Sequence, residues 1–290
     1  MTCFALAAQG DVVAIGSDDG KIRLWNLSAN KVVRTIPATK KNFIGGVAFA
    51  PDGKHIAFHA DNELVGLWDI ESGKDLGRCP QEVAVIDQIC FSPSGGLVGV
   101  ASDSVGFVWD TNSGKTWKSE QPVRSLAFSP DGKTIALGFN TVRLAEASSG
   151  RSIREFGKVE GQVVSLGFSS DGAQLLAVDA LCRGTTARLI GVASGEETLI
   201  GEKIPSDRAG AAYAPDGKTI VVSDGMASLT FWDVSTAKSI GTIKGVDRST
   251  STLIFTPDGN RLLTGHNSEI GDILIWDTAS NTQPEKSSPE

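Results

Sequence analysis

Histidine, cysteine, methionine and tyrosine are all scarce in this chain of 290 residues, which holds three His, four Cys, two Met and one Tyr. Three histidines leave little material for a nucleophile–base–acid set, and no Gly-x-Ser-x-Gly elbow occurs. His55 and His59 have the spacing of a zinc pair on a helix, but they lie in a strand-like segment. There four residues span about 13 Å, too far for one metal. No Cys-x-x-Cys is present, and Cys3, Cys79, Cys90 and Cys182 are scattered among apolar residues. They read as reduced core thiols of a cytoplasmic protein, not as a disulfide framework. No apolar run approaches the roughly 20 residues that span a bilayer. The first residues carry no basic leader and meet Gln9, Gly10 and Asp11 too soon for a signal peptide. Positive charge is not in excess: 27 Lys+Arg stand against 34 Asp+Glu, a net −7. That sign argues against broad binding to nucleic-acid phosphates or anionic lipid. A sustained 3.6-residue period is missing too, so helices are expected to be nearly absent.

What the chain has is repetition. An aromatic residue followed by a Pro/Ser-Asp-Gly turn occurs at Phe49-Ala-Pro-Asp-Gly53, Phe128-Ser-Pro-Asp-Gly132, Phe168-Ser-Ser-Asp-Gly172, Tyr213-Ala-Pro-Asp-Gly217 and Phe255-Thr-Pro-Asp-Gly259. Phe91-Ser-Pro-Ser-Gly95 replaces only the Asp, and Leu6-Ala-Ala-Gln-Gly10 is a worn first copy. Each turn is followed by a β-branched run ending at Trp25, Trp68, Trp109, Trp232 or Trp276, with Ala145 and Ile190 in the equivalent places of two units. These anchors lie 43, 41, 36, 45, 42 and 44 residues apart, which makes seven units of about 42 residues. In the fourth unit, apolar alternation predicts strands over 123–128, 134–139, 142–146 and 152–156. One such unit cannot bury both its faces, whereas seven arranged radially can. The expected fold is all-β: a seven-bladed β-propeller of four-stranded antiparallel blades over residues 1–279, with a polar, disordered tail at 280–290.

These motifs resemble the WD-repeat β-propeller family over essentially the whole chain. Gly16-Ser-Asp-Asp-Gly-Lys-Ile-Arg-Leu-Trp-Asn26 is similar to the family's signature for its second and third strands. The Gly-His pair that usually opens a unit is missing throughout, and the turn Asp six residues before the Trp survives only as Asp19 and Asp103. The family's buried His–Asp–Ser–Trp network therefore lacks its usual members. The resemblance implies that loops joining strands two to three, and blade to blade, share one face with the channel mouth, and that partners bind there.

The other conspicuous residues divide by register. Aromatic residues that recur in register are expected to pack between blades. Trp117 alone is off register, in Gly114-Lys-Thr-Trp-Lys118, and is either a cover for the edge of blade three or an aromatic anchor for a partner. The Asp-Gly-Lys-Thr at Asp131 and Asp216 imitates the end of a phosphate-binding loop, but the glycine such a loop needs is replaced by Ala127 and Ala212. The loop face collects 14 acids and six bases, leaving 20 and 21 on the rest of the chain. A focused negative face favours a basic protein or peptide. Residues expected to contact such a partner are Asp61, Glu63, Asp103, Arg183, Asp207, Asp224, Asp247, Glu269 and Trp117. No catalytic residue, metal ligand or cofactor is assigned.

The leading reading is thus a non-catalytic scaffold that binds a protein or peptide, neither nucleic acid nor membrane. The alternative is an enzymatic propeller, a hydrolase or a quinone-dependent dehydrogenase. Val108-Trp-Asp-Thr-Asn-Ser-Gly-Lys-Thr-Trp117 bears a partial likeness to the docking motif of quinoprotein blades. In the WD-repeat family an N-terminal segment usually completes the last blade, but here Met1 aligns with the start of a first strand. The sequence after Asp277 is polar and carries Pro284 and Pro289, so blade seven is expected to have three strands. On that reading the chain is a domain of a longer protein, or a ring completed by a partner.

Overall fold

The computed structural model describes all residues except 1–2, 41, 61–64, 84–85, 160, 182–183, 205–209, 225–227, 245–249, 267–272, 279–284 and 288–290. Its strands form seven antiparallel sheets of four, each built from consecutive segments. The blades span residues 4–37, 44–78, 88–118, 125–158, 162–204, 211–244 and 250–287. No helix occurs among the described residues. Blade four has strands Ser125–Phe128, Thr134–Gly138, Thr141–Glu146 and Ser152–Lys158, within two residues of the boundaries set by alternation.

Period-two patterning explains why the units close into a ring. Along the second strand of blade four, Ile135 and Leu137 face blade three while Ala136 faces blade five. The same division recurs in blade six, where Ile220 and Val222 pack toward blade five and Val221 toward blade seven. The core is therefore seven apolar clusters, one in each seam between neighbours. The third-strand anchors always pack toward the preceding blade, Trp109 against blade two and Trp276 against blade six.

The turns explain the repeated glycines. After the third strand, the chain reverses through a left-handed residue at Asn30, Gly73, Gly114, Gly150, Gly195 and Ala237, with φ of 49°, 68°, 72°, 73°, 78° and 52°. Only glycine adopts this region without a Cβ penalty, and Asn tolerates it best among the rest. The outer strands that follow are poor templates for further pairing. In four of them a bulge interrupts the register beside the anchor and leaves Val33, Leu76, Ile153 or Ile240 as the extra residue. Blade five carries its irregularity further along, and the outer strands of blades three and seven are three residues each.

Blade seven corrects the sequence reading. Glu285–Ser287 pairs with Ile273–Asp277 as a fourth strand, Ile273 opposite Ser287 and Ile275 opposite Glu285. Low β-propensity in the tail is overridden because the third strand offers an unpaired edge whose backbone groups gain partners. Residues 285–287 are thus neither disordered nor outside the propeller.

Candidate functional site

The innermost strands surround a central channel of about 1000 Å³. Its lower part is lined by Leu6, Phe49, Phe91, Phe168 and Tyr213, which end their first strands, and by Ile254, one residue before the end of its own. Its upper part carries the only two charged lining residues among the described ones, Asp87 and Arg124. Both stand in blade-to-blade connections, immediately before an inner strand, so the seam between blades three and four sets them at the mouth.

Arg124 is the hub of this cluster. Its guanidinium donates to Gln162 Oε1 at 2.9 Å and lies 3.3 Å from Asp103 and 4.0 Å from Asp87. Beneath it Gln88 Oε1 accepts from Ser125 Oγ and the Leu126 amide at 3.1 and 2.9 Å, tying two inner strands together. Two carboxylates share one cation. Burial pushes the Asp87 carboxyl above its ordinary range, the Asp103 charge pushes the same way, and Arg124 offsets them only in part.

Elsewhere the expected acidic face is locally neutralised. Asp19 is bound by Arg23 at 2.8 Å and by Lys21, and the Arg23 hydrogen bond holds its carboxyl well below the usual range. Asp179 lies within a strand, buried against Arg188 at 2.7 Å, and so belongs to the blade and not to the loop face. Asp224 Oδ1 accepts the Ser228 amide at 2.9 Å, closing its own turn. Asp103 has its side chain 60% exposed beside the mouth. Asp61, Glu63, Arg183, Asp207, Asp247 and Glu269 lie outside the described residues. The sequence reading missed Asp87 and Arg124, whose signal was their position two or fewer residues before an apolar inner strand.

Trp117 sits away from this face, on the outer strand Thr116–Lys118. Its Nε1 donates to the Ala147 carbonyl of blade four at 2.9 Å, and its ring lies over Gly150. The exposed-anchor expectation gives way here: the indole N–H and one ring face are spent on the neighbouring blade.

The channel offers little for chemistry among the described residues. Cys90 lines it, but burial pushes its thiol up to about 12, far from a reactive thiolate. No group of three or more His, Cys, Asp or Glu residues is placed to hold a metal among the described residues. Among the described residues no helix is long and apolar enough to cross a membrane.

Comparison with known proteins agrees with this architecture. The model of the anaphase-promoting complex subunit 4 WD40 domain matches residues 4–94 and 89–171. The small ribosomal subunit protein RACK1y of Oryza sativa is 28% identical over 149 residues, which is 47% of this chain and 44% of that protein. Protein tipD of Dictyostelium discoideum is 20% identical over 290 residues, 95% of this chain and 46% of its own length. An uncharacterized WD repeat-containing protein of Synechocystis is 30% identical over 147 residues, 49% of this chain and 41% of the relative. The chain thus spans less than half the length of these relatives.

Proposed function

The chain belongs to the WD40-repeat family of β-propellers, and from that premise we propose that it is a non-catalytic scaffold holding a basic protein or peptide on its loop face. The observation that carries this reading is the mouth cluster, where Asp87 and Asp103 share the single cation Arg124 and leave a net negative charge over an apolar-walled channel. With Asp179 set aside, the sequence reading still counts thirteen acids against six bases on that face, which adds a longer-range field of the same sign. Propellers of this family, RACK1-type relatives included, support a protein-binding role. The reading extends to a cytoplasmic protein, in keeping with the free thiols of Cys3, Cys79 and Cys90, and to a propeller that is one domain of a longer chain.

The test is affinity capture from the native host, followed by association kinetics with the captured protein. Steering by opposite charge makes the association rate fall markedly as ionic strength rises to about 0.15 M. Charge reversal of Asp61, Asp103 and Asp224 slows association, while reversal of Asp52 and Asp258 on the opposite face does not. Equal effects of the two sets overturn the assignment of the face, and metal or quinone at one equivalent overturns the scaffold reading.

A further inference from the structure

Three seams share a device at the rim. In blade one, Arg34 on the outer strand donates to the Glu71 carbonyl of blade two at 3.2 Å. In blade three, Trp117 donates to the Ala147 carbonyl of blade four. In blade four, Arg154 donates to the Val192, Ala193 and Ser194 carbonyls of blade five at 3.2, 2.6 and 2.9 Å. All three hold the same register position, opposite the residue just before the anchor: Arg34 faces Leu24, Trp117 faces Val108, and Arg154 faces Leu144. Each reaches the turn that follows the neighbour's third strand, where the left-handed glycine makes room. A Cβ on Gly73 would lie 3.1 Å from Arg34, and one on Gly150 2.5 Å from Trp117. On Gly195 it would overlap the Arg154 guanidinium. These three glycines are half-buried under their clasps.

The seam between blades two and three has the same floor and no clasp. The residue at the clasp position is Gly77, opposite Leu67, and a Cβ there would meet nothing within 4 Å. The receiving turn of blade three is formed as in the others, with Gly114 at φ 72° and Asp110 Oδ1 accepting the Asn112 and Ser113 amides at 2.9 and 3.1 Å. Yet a Cβ on Gly114 also meets nothing within 4 Å, and Asn112, Ser113 and Gly114 are all exposed. Among the described residues, no side-chain donor reaches the turn carbonyls of Thr111, Asn112 or Ser113.

We propose that this notch is a docking site on the rim for an arginine side chain of a partner protein, which supplies in trans the clasp that Arg34 and Arg154 supply in cis. The identity of the occupant follows from the sibling seams: a turn that offers three convergent carbonyls is capped in blade five by one guanidinium, whose fork of donors matches them. A lysine ammonium fits less well, being a single point of charge. The site lies on the rim and does not depend on the loop face.

The probe is N-acetyl-arginine amide titrated into the whole chain and followed by amide shifts. Saturable shifts at 111–114 are expected with a dissociation constant on the order of 10 mM, a range suited to a single small cation. The occupied turns at 71–73 and 192–195 stay unmoved, and N-acetyl-lysine amide binds several-fold more weakly. Arg154→Ala opens the 192–195 turn, which then responds to the same probe. If that variant does not fold, Arg34→Ala makes the same test at 71–73. The proposal is overturned by the absence of saturable shifts at 111–114, by equal shifts at occupied and vacant turns, by equal lysine binding, or by an unclasped turn that stays silent.

Discussion

Four tryptophan anchors bury their indole N–H, and only one of them is satisfied. Trp276 Nε1 donates to Thr264 Oγ1 at 3.0 Å, while Trp25, Trp68 and Trp109 Nε1 are buried without an acceptor. Register explains the difference. Leu262 faces Trp276, and Thr264 follows two residues later; Val98 faces Trp109, and Val100 stands in the place of Thr264. Val100 is fully buried, so Val100→Thr exchanges a methyl for a hydroxyl of nearly the same shape beside a stranded donor. A buried hydroxyl without a partner costs about 1–3 kcal/mol on mutational scales. The new bond offsets that by roughly 0.5–1.5 kcal/mol and also removes the penalty of about 1–3 kcal/mol for the unpaired N–H. The net expectation is a change between zero and about 1 kcal/mol of stabilisation. Val142→Thr, equally buried in the seam between blades four and five, whose anchor is Ile190 and whose cluster holds no tryptophan, is the control and costs the full ~1–3 kcal/mol. Urea unfolding measures both, and the gap of about 2 kcal/mol corresponds to roughly 3 °C in Tm at this size. The indole proton of Trp109 shifts downfield and exchanges more slowly in the variant. If Val100→Thr destabilises as much as Val142→Thr, the register argument is wrong.

Three further outcomes follow from the geometry. Arg154→Ala removes three charge-assisted bonds at a half-exposed rim and lowers stability by about 1–2 kcal/mol in denaturant titration, whereas substituting Arg143, on the third strand of the same blade, changes little. Tyr213→Phe removes a buried hydroxyl without a partner, at a position where six units carry Phe or Leu, and raises stability by up to about 1 kcal/mol. Acid titration separates two kinds of carboxylate. Hydrogen bonds from turn residues hold Asp110, Asp131, Asp171, Asp233 and Asp258 below their ordinary range, so their stabilisation is complete above about pH 4 and is lost as pH falls through their folded values. Asp87 has the opposite sign: its folded value is raised, so its penalty grows as pH rises through that value. Asp87→Asn is therefore stabilising at neutral pH and without effect well below pH 4, as read by thermal unfolding at both.

The fold was legible because alternation, turn chemistry and anchor spacing all point to one architecture, and each is a local property. The anchors at Ala145 and Ile190 show how far this goes: with no tryptophan to mark them, they still pack toward the preceding blade as Trp109 does. The rim clasps were not legible. Arg34 and Arg154 look like ordinary solvated charges of an edge strand, and only the register across two blades reveals that they address a neighbour's carbonyls. Trp117 was noticed for being off register with the other tryptophans, yet it is in register with those arginines. The mouth cluster was half legible: Asp103 stands out as a turn residue, but Asp87 and Arg124 acquire meaning only when two seams bring them beside Gln162.

Closure of the ring shows which interactions carry the architecture. Among the described residues no strand is exchanged between blade one and blade seven, since each is built from its own four consecutive segments. The seam is instead an apolar cluster like the other six, in which Phe4, Val13, Ile15 and Leu27 meet Leu263 and Ile273. Close approach is secured by glycine: a Cβ on Gly265 would lie 2.5 Å from the Phe4 ring, and one on Gly10 2.6 Å from Pro257. A linear array of such units would leave an apolar face exposed at each end and would need capping repeats to cover it. Here the two end faces cover one another, so the ring supplies its own caps. The outer strand Glu285–Ser287 then serves the edge of blade seven, not the seam, because its pairing partner is the third strand of its own blade. Shortening that strand should fray a rim while leaving the seam cluster, the channel and the loop face in place. A substitution at Gly265, on the second strand of the same blade and packed against Phe4, should instead open the ring.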